Sequence, residues 1–298
     1  MVRDLVGYGS EPPDPRWPGG ARVALSIVLN YEEGGEQTPL EGDPASEAFL
    51  HEVIGAPPTV GRRNLNTESM FEFGSRAGFW RLHRLFTAHR TSLTVYAVGQ
   101  ALERNPAAAQ AMVGAGWEVA SHGWRWIDYL DMSEKDEREH IRRSVAAIES
   151  ACGARPVGWY TGRVSANTRR LVVEEGGFLY DSDSYADELP YWVGVAGRSH
   201  LVIPYTLDAN DFKFLLPNGF VTADDFATYL VDSLETLRAE GGRMMSVGLH
   251  CRIAGRPGRT PALERFLEHV QACDDVWVAT RAEIARHWHA TNPPGDQG

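Results

Sequence analysis

Short apolar runs alternate with amphipathic helical segments along most of this chain, and this alternation limits the possible folds more than any other feature. Strands that are each followed by a helix pair in parallel, because the helix carries the chain back across the sheet. With about seven such strands, a chain of 298 residues can form an irregular, incompletely closed (β/α) barrel, the α/β fold that we predict. The predicted strands cover residues 22–30, 92–98, 117–121, 157–160, 201–205, 244–250 and 276–279.

Two kinds of signal mark the predicted helix starts. In a capping box, a Ser or Thr and an acidic residue three positions later satisfy two otherwise unpaired backbone N–H groups. Proline at the first helical position, directly after a cap residue, is the second signal. Capping boxes begin at Ser133, Thr222 and Thr280, and the proline signals are Asn105-Pro106 and Thr260-Pro261.

The sequence predicts a single domain with one irregular segment. No linker, repeat or low-complexity run divides the chain, and 43% of its residues are hydrophobic, so we assign one domain to residues 1–298. Residues 32–78 are rich in Glu, Gly and Pro and show no clear period. Long loops of this kind serve as lids, binding loops or oligomer contacts. The sequence does not choose among these roles, although we expect a homo-oligomer.

Charge and cysteine usage limit the partners and the compartment. The formal net charge of −11 argues against nucleic acid or an anionic membrane as partner, because both bind basic surfaces. The three cysteines are isolated, which is typical of reduced thiols. Residues 1–20 contain no apolar run of signal-peptide length, and no stretch reaches the ~20 apolar residues of a membrane span. We therefore predict a cytoplasmic protein.

Polar residues follow several of the predicted strands. The carboxyl ends of barrel strands share one face, where active sites are built, so we expect these side chains to meet in one pocket. Taken singly, a strand-end histidine is more often structural and an arginine more often lies at the surface. The residues are Glu32, Glu33, His122, Arg163, Asp208 to Asp211 and His250.

Five blocks that contain these residues resemble the motifs of the NodB-type polysaccharide deacetylases. That family begins with paired aspartates, where this chain has Glu32 and Glu33, and ends with a strand-end histidine, here His250. The resemblance covers a core of about residues 22–290, and its substitutions are similar to those of the metal-independent allantoinases. The blocks are residues 29–34, 121–126, 158–163, 204–211 and 248–252.

The second block departs from the family pattern in a way that concerns metal binding. A zinc hydrolase of this family reads His-x-x-x-His, whereas this chain has His122 and Trp126. The indole nitrogen carries a hydrogen and cannot ligate. Glu33 matches the family's metal aspartate, so two ligands remain where catalytic zinc normally has three. We predict no metal and no other cofactor.

The resemblance also implies roles for individual residues. Glu32 matches the catalytic-base aspartate, and Arg163 matches an arginine that orients that base. Glu32 and His250 are the expected general base and acid, in an order that the sequence leaves open, and His122 is a third catalytic residue. Adjacent residues of an extended chain point to opposite sides, so only one of Glu32 and Glu33 is expected to face the substrate directly.

Further residues are expected to contact the substrate. Arg125 supplies positive charge, Trp126 forms a pocket wall, and Asn210 and Asp211 hydrogen-bond a ureido arm. Glu33 completes this predicted substrate-binding set.

The implied reaction is hydrolytic opening of the hydantoin ring of the small molecule allantoin to allantoate, in purine (ureide) catabolism. Without a Lewis acid, a side chain must activate water and hydrogen-bond donors must hold the oxyanion. This requirement favours an imide-type ring carbonyl over the deactivated amide of an acetylated sugar. The alternatives are a metal-dependent N-deacetylase acting on such a sugar, a hydrolase of another cyclic imide, and a non-enzymatic binding protein.

Overall fold

The computed structural model describes residues 3–295, whose strands form one nine-stranded sheet. The strands are β1 (Val23–Tyr31), β2 (Thr94–Ala97), β3 (Glu118–Ser121), β4 (Gly158–Trp159), β5 (Tyr180–Asp181), β6 (Tyr191–Val195), β7 (Arg198–Val202), β8 (Arg243–His250) and β9 (Val276–Val278). Their order is β6-β7-β5-β4-β3-β2-β1-β8, and β9 also pairs with β1. The predicted (β/α) barrel type is confirmed as a curled, mostly parallel sheet.

All seven predicted strands are present, and two further strands were missed. β5 has only two residues, too few to show any periodicity. β6 pairs antiparallel with β7 around a turn at Ala196 and Gly197, where both φ angles are positive, as a two-residue hairpin requires. The prediction of a strand over 201–205 was therefore displaced, because β7 begins at the hairpin and ends at Val202.

The helices occupy the intervals between the strands. They are α1 (Leu65–Phe73), α2 (Phe79–Ala88), α3 (Gly99–Arg104), α4 (Pro106–Gly114), α5 (Glu134–Cys152), α6 (Thr168–Glu175), α7 (Ala223–Glu240), α8 (Thr260–Gln271) and α9 (Arg281–Thr291). Within residues 3–295, no helix combines the length and apolar character needed to cross a membrane.

The predicted helix starts hold with one exception. Ser133, Thr222, Thr280 and Asn105 each accept a hydrogen bond from a backbone N–H of the first helical turn. Thr260 is instead the first residue of α8, after Arg259 at the cap position. Its hydroxyl donates to two carbonyls of the preceding loop and so does not cap the helix.

β1 is the central strand, and all nine of its residues are buried. One edge pairs with β8 along residues Val23 to Asn30. The other edge pairs first with β9 and then, from Val28 onward, with β2. A parallel strand covered on both faces is almost continuously apolar, which explains the sequence of β1. β1 therefore delivers the residues that follow it to the middle of the sheet.

Between β7 and β8, the side chain of Arg281 bridges the gap in the ring of strands, beside backbone bonds from Gly248 to Ala209 and from Met244 to Glu188. The fully buried Arg281 donates to the carbonyls of Ile203 and Pro204, both at 2.6 Å. It also donates to the hydroxyls of Ser246, at 2.9 Å, and Ser182, at 3.1 Å. These bonds join the ends of β5 and β7 to β8, so a guanidinium supplies much of the hydrogen bonding that a strand ladder would otherwise provide.

Residues 34–64 form an irregular cover, which we call the roof segment. Arginines of the barrel pair with its carboxylates: Arg125 with Asp43 at 2.5 Å, Arg163 with Glu47 at 3.0 Å, Arg259 with Glu52 at 2.7 Å, and Arg104 with Glu41. The roof segment is joined to α1, which a π-helical turn, Gly74–Gly78, connects to α2. The predicted irregular segment 32–78 is therefore irregular only as far as residue 64, and that part is fixed to the barrel by ion pairs. Residues 65–78 are helical instead, and the prediction missed them because α1 has little amphipathic pattern.

Candidate active site

The candidate site lies at the carboxyl ends of the parallel strands. Glu32 directly follows β1, His122 directly follows β3, and His250 is the last residue of β8. Arg252 lies two residues farther along the chain. All four side chains are buried. The strands thus bring together side chains from three distant parts of the sequence.

Glu32 is the centre of this cluster. Its Oε1 lies 3.2 Å from His122 Nε2 and 3.6 Å from His250 Nε2, and its Oε2 accepts a hydrogen bond of 2.5 Å from Arg252 Nη1. Burial alone would raise the pKa of Glu32, but the charges of Arg252 and His250 and the hydrogen bond from His122 outweigh it and hold the pKa well below its usual range. Glu32 is therefore an ionised carboxylate.

Asp211 orients His250. One carboxylate oxygen of Asp211 lies 2.6 Å from His250 Nδ1, and the other accepts the backbone N–H groups of His250 and Ala254. Burial opposes a charge on His250, but the carboxylates of Asp211 and Glu32 outweigh it and raise the pKa of the imidazole. The other imidazole nitrogen, Nε2, faces Glu32.

The predicted contacts of Asn210 and Asp211 with a ureido arm are not what the structure shows. Asn210 accepts the N–H of Phe212 and donates to the carbonyl of Thr206, so it shapes the turn that carries Asp211. The oxygens of Asp211 are occupied by His250 and Ala254. Both residues therefore support the site indirectly: Asn210 shapes the turn, and Asp211 holds His250. Sequence reasoning failed here because it could not show which way this turn faces.

Glu33 lies beside Glu32 rather than on the opposite side. β1 ends at Tyr31, so the backbone is no longer extended, and Arg252 Nη1 lies within 3.9 Å of Glu33 Oε1. Burial raises the pKa of Glu33 to about 7, and the neighbouring charge of Glu32 adds to this effect. Glu33 Oε2 accepts the N–H of Glu32, while Oε1 has no hydrogen-bond partner within residues 3–295.

Two of the predicted arginines hold the roof segment. Arg163 pairs with Glu47 and donates to the carbonyl of Trp126. Arg125 pairs with Asp43 and donates to the carbonyl of Glu36. Arg163 thus does not orient Glu32, contrary to what the resemblance implied. Arg252 takes that position, and its signal in the sequence was its place in the fifth block, two residues after His250.

Trp126 lies beside the site and packs against Arg252, and its role as a wall for the substrate stays a prediction. It is 4% exposed and stacks on Phe49, with ring centroids 5.9 Å apart. Phe71 packs at a tilt beside it. The guanidinium of Arg252 lies 4.9 Å from the centre of the indole and that of Arg163 lies 4.8 Å from it.

The residues present do not fit a zinc centre of the NodB type. Trp126 stands where a second histidine would ligate, and its indole has no lone pair to donate. Arg252 already supplies a cation to Glu32 at 2.5 Å and lies 3.9 Å from Glu33, so a divalent ion there would be repelled. Elsewhere in residues 3–295, Glu235, His269 and Cys273 are close enough together to share an ion.

This fold and this arrangement define a hydrolase of the polysaccharide deacetylase type. The family model described as "Polysaccharide deacetylase" matches residues 67–177. A Schizosaccharomyces pombe protein named as a polysaccharide deacetylase is 44% identical over 98% of both chains. The chain belongs to the polysaccharide deacetylase family.

Two solved structures are similar over nearly the whole chain. PuuE allantoinase is 55% identical, with a TM-score of 0.97 and 99% of each chain covered. A protein from Pseudomonas aeruginosa PAO1, described as a polysaccharide deacetylase, is 54% identical, with a TM-score of 0.96 over 99% of this chain and 100% of that one. These two similar structures carry different activities in their names.

Proposed function

We propose that this protein opens the hydantoin ring of allantoin by hydrolysis to give allantoate, a reaction of purine (ureide) catabolism. The observation that carries the proposal is the buried Glu32 carboxylate, which lies between Arg252 and two imidazoles at the position that matches the family's catalytic base. The similarity to PuuE allantoinase over 99% of both chains supports the same reading.

The opposed pKa shifts support one order of the two proton-transfer roles. The pKa of Glu32 is lowered and that of His250 is raised, which favours Glu32 as the proton acceptor and His250 as the proton donor. Glu32 removes a proton from water as the new C–O bond forms at a ring carbonyl. When the C–N bond breaks, His250 delivers a proton to the departing nitrogen. The carboxyl group that forms loses its proton to solvent, and the proton taken up by Glu32 returns to His250, so the net reaction consumes one water and yields allantoate and one proton.

A cyclic ureide suits this chemistry better than an acetamido sugar. The ring carbonyl of a hydantoin is flanked by an imide-type nitrogen and is readily attacked, whereas a sugar acetamide is deactivated. The donor set at Glu33, His122 and Trp126 does not build the three-ligand zinc centre that would polarise such an amide.

The test is an allantoin hydrolysis assay with Glu32→Gln. General acid–base groups contribute on the order of 10²–10⁴-fold in rate, so we expect a loss on that scale in a folded protein. Glu139→Gln, which changes an exposed carboxylate of α5, is the matched control and should keep wild-type turnover. Chelator treatment should leave the wild-type rate unchanged. No ring opening by wild type, or turnover of Glu32→Gln within a few-fold of it, would refute the proposal.

The second candidate is N-deacetylation of an acetylated sugar, which the name of the 44% identical relative favours. Release of acetate from N-acetylated chito-oligosaccharides, measured beside allantoin opening, separates the two. We expect no acetate. Acetate release that requires added zinc would establish the deacetylase instead.

A further inference from the structure

Within residues 3–295, two arginines are completely buried, and their hydrogen bonding differs sharply. All three side-chain nitrogens of Arg281 donate to protein acceptors. Arg252 donates through Nη1 to Glu32, whereas its Nε and Nη2 have no acceptor within residues 3–295. A buried donor without a partner costs about 1–3 kcal/mol, and more when it is charged. Arg281 is thus satisfied by the fold, and Arg252 presents two free donors inside the candidate site.

The guanidinium of Arg252 is also fixed in orientation. Its centre lies 4.4 Å from the ring centre of Phe71 and 4.9 Å from that of Trp126. Aromatic faces attract a guanidinium by cation–π interaction and hold its plane. The indole at position 126 cannot ligate a metal, but it can stabilise an organic cation. Trp126 and Arg252 therefore form a matched pair.

The carboxylates around Arg252 do not supply two full negative charges to its guanidinium. Glu32 is its ionised partner at 2.5 Å. Glu33 is 3.9 Å away, and its pKa of about 7 keeps a large fraction of it neutral near neutral pH. Arg252 thus has one full counter-charge rather than two, which favours an additional acceptor that gains negative charge.

We propose that Arg252 is the electrophilic residue of the site, binding through its free N–H donors the ring carbonyl oxygen that water attacks. The inference rests on the proposed function and assigns its oxyanion stabiliser. As the C–O bond forms, the carbonyl electron pair moves onto the oxygen, which Arg252 holds as an oxyanion. The electron pair returns as the C–N bond breaks, and His250 protonates the nitrogen. Arg252 then faces the new carboxylate of the product.

The first test compares Arg252→Met with Arg265→Met, which changes an exposed arginine of α8. Removal of one preorganised oxyanion donor typically costs on the order of 10²–10³-fold in kcat. We expect a loss of at least that size in Arg252→Met and none in the control. In Arg252→Ala, added methylguanidinium should restore part of kcat, as expected if the missing group is a guanidinium at the reaction centre. Turnover of folded Arg252→Met within a few-fold of wild type would overturn the inference.

A second measurement uses the unmodified protein and does not depend on the folding of a variant. The arginine Nε–H resonances of ¹⁵N-labelled wild type are recorded as allantoate is added, and Arg252→Lys identifies the signal. We expect the Arg252 Nε–H signal to shift as the carboxylate binds, and an unshifted signal at saturating allantoate would contradict the inference. If wild type opens no allantoin, the proposed function fails; if it does and Arg252 is silent in both tests, only this inference fails.

Discussion

The carboxylate of Asp211 controls both the direction and the charge of His250. It contacts the imidazole at 2.6 Å, and its negative charge is the largest influence that raises the pKa of His250. His250 must be protonated to act as an acid, so activity should fall as pH rises through that pKa. Asp211→Asn lowers the pKa and should move this loss of kcat/KM to lower pH.

The pH profile of kcat/KM reports this shift, because it follows the pKa values of the free enzyme. Asp208→Asn is the control, since Asp208 lies in the same turn region but bonds to Thr206 and Tyr229. A high-pH limb that stays in place in Asp211→Asn would show that His250 is not the acid.

Glu33 predicts a pH dependence of stability. Its pKa is about 7 in the folded protein against an ordinary value of 4.5. Between these values the folded state keeps a proton that the unfolded chain has released, so the free energy of unfolding falls as pH rises through this window. At about 1.4 kcal/mol per pKa unit, the loss is on the order of 3 kcal/mol above pH 7.

Glu33→Gln mimics the protonated carboxyl and should remove this loss. Denaturant unfolding at pH 5 and pH 8 measures it, and all other titrating groups cancel in the difference between the two proteins. We expect wild type to lose more stability than the variant between these pH values. Equal losses would mean that Glu33 is ionised throughout.

At the residue scale, the sequence predicted which side chains would meet in the site better than it predicted which residue each arginine would pair with. Strand ends and block order predicted that Glu32, His122 and His250 would meet, because β1, β3 and β8 are regular. The choice between Arg163 and Arg252 could not be predicted in this way. It depends on the path of the roof segment, which delivers Glu47 to Arg163, and that segment has no periodicity from which its path could be inferred.

At the scale of elements, the π-helical turn Gly74–Gly78 fits closely against the site. A Cβ on Gly74 would lie 2.2 Å from Glu33 Oε1, and one on Gly78 would lie 2.0 Å from the carbonyl oxygen of Cys251. Because Gly74 and Gly78 have no side chains, this turn packs directly against Glu33 and against the loop that carries Arg252. Such π turns are frequent at functional sites.

Gly74→Ala should therefore overpack the site. Inserting a methyl group into a well-packed core costs about 1–3 kcal/mol, and here it also displaces Glu33. We expect lower stability and lower kcat, measured by denaturation and the allantoin assay. Gly114→Ala in α4 is the control, because nothing lies within 4 Å of its Cβ. Its stability should be unchanged or slightly higher, and a silent Gly74→Ala would show that the turn is free to move.

The elements with strong local signals were predictable, and the others were not. Capping residues fixed the starts of α5, α7 and α9, since each cap is a contact within four residues. β5 and the roof segment depend instead on distant partners, such as β4 and the barrel arginines. Two-residue strands and irregular loops carry no period, so pattern reasoning cannot find them.

For the whole molecule, Arg281 is the residue on which closure of the barrel depends. Arg281→Met would remove the hydrogen bonds that Arg281 donates to the carbonyls of Ile203 and Pro204 and to the hydroxyls of Ser182 and Ser246. We expect a loss of stability on the order of 3 kcal/mol or more. Hydrogen exchange should show which part of the sheet loses stability. The amide of Gly248, which donates to the carbonyl of Ala209 between β7 and β8, should exchange much faster. The amides of β2 and β3 should stay protected. Exchange that becomes faster uniformly over the sheet would show that Arg281 does not specifically hold β7 and β8 together.

The position of β1 has a consequence for synthesis on the ribosome. This strand is synthesised long before β8 and β9, yet one of its edges has to wait for β8 and the start of the other edge has to wait for β9. Pairings between distant segments form slowly, and an unpaired apolar edge is exposed meanwhile. The strand that organises the finished barrel thus has edges that are exposed to pairing with other chains until the later strands have been made, so their shielding during synthesis should affect the yield of active protein.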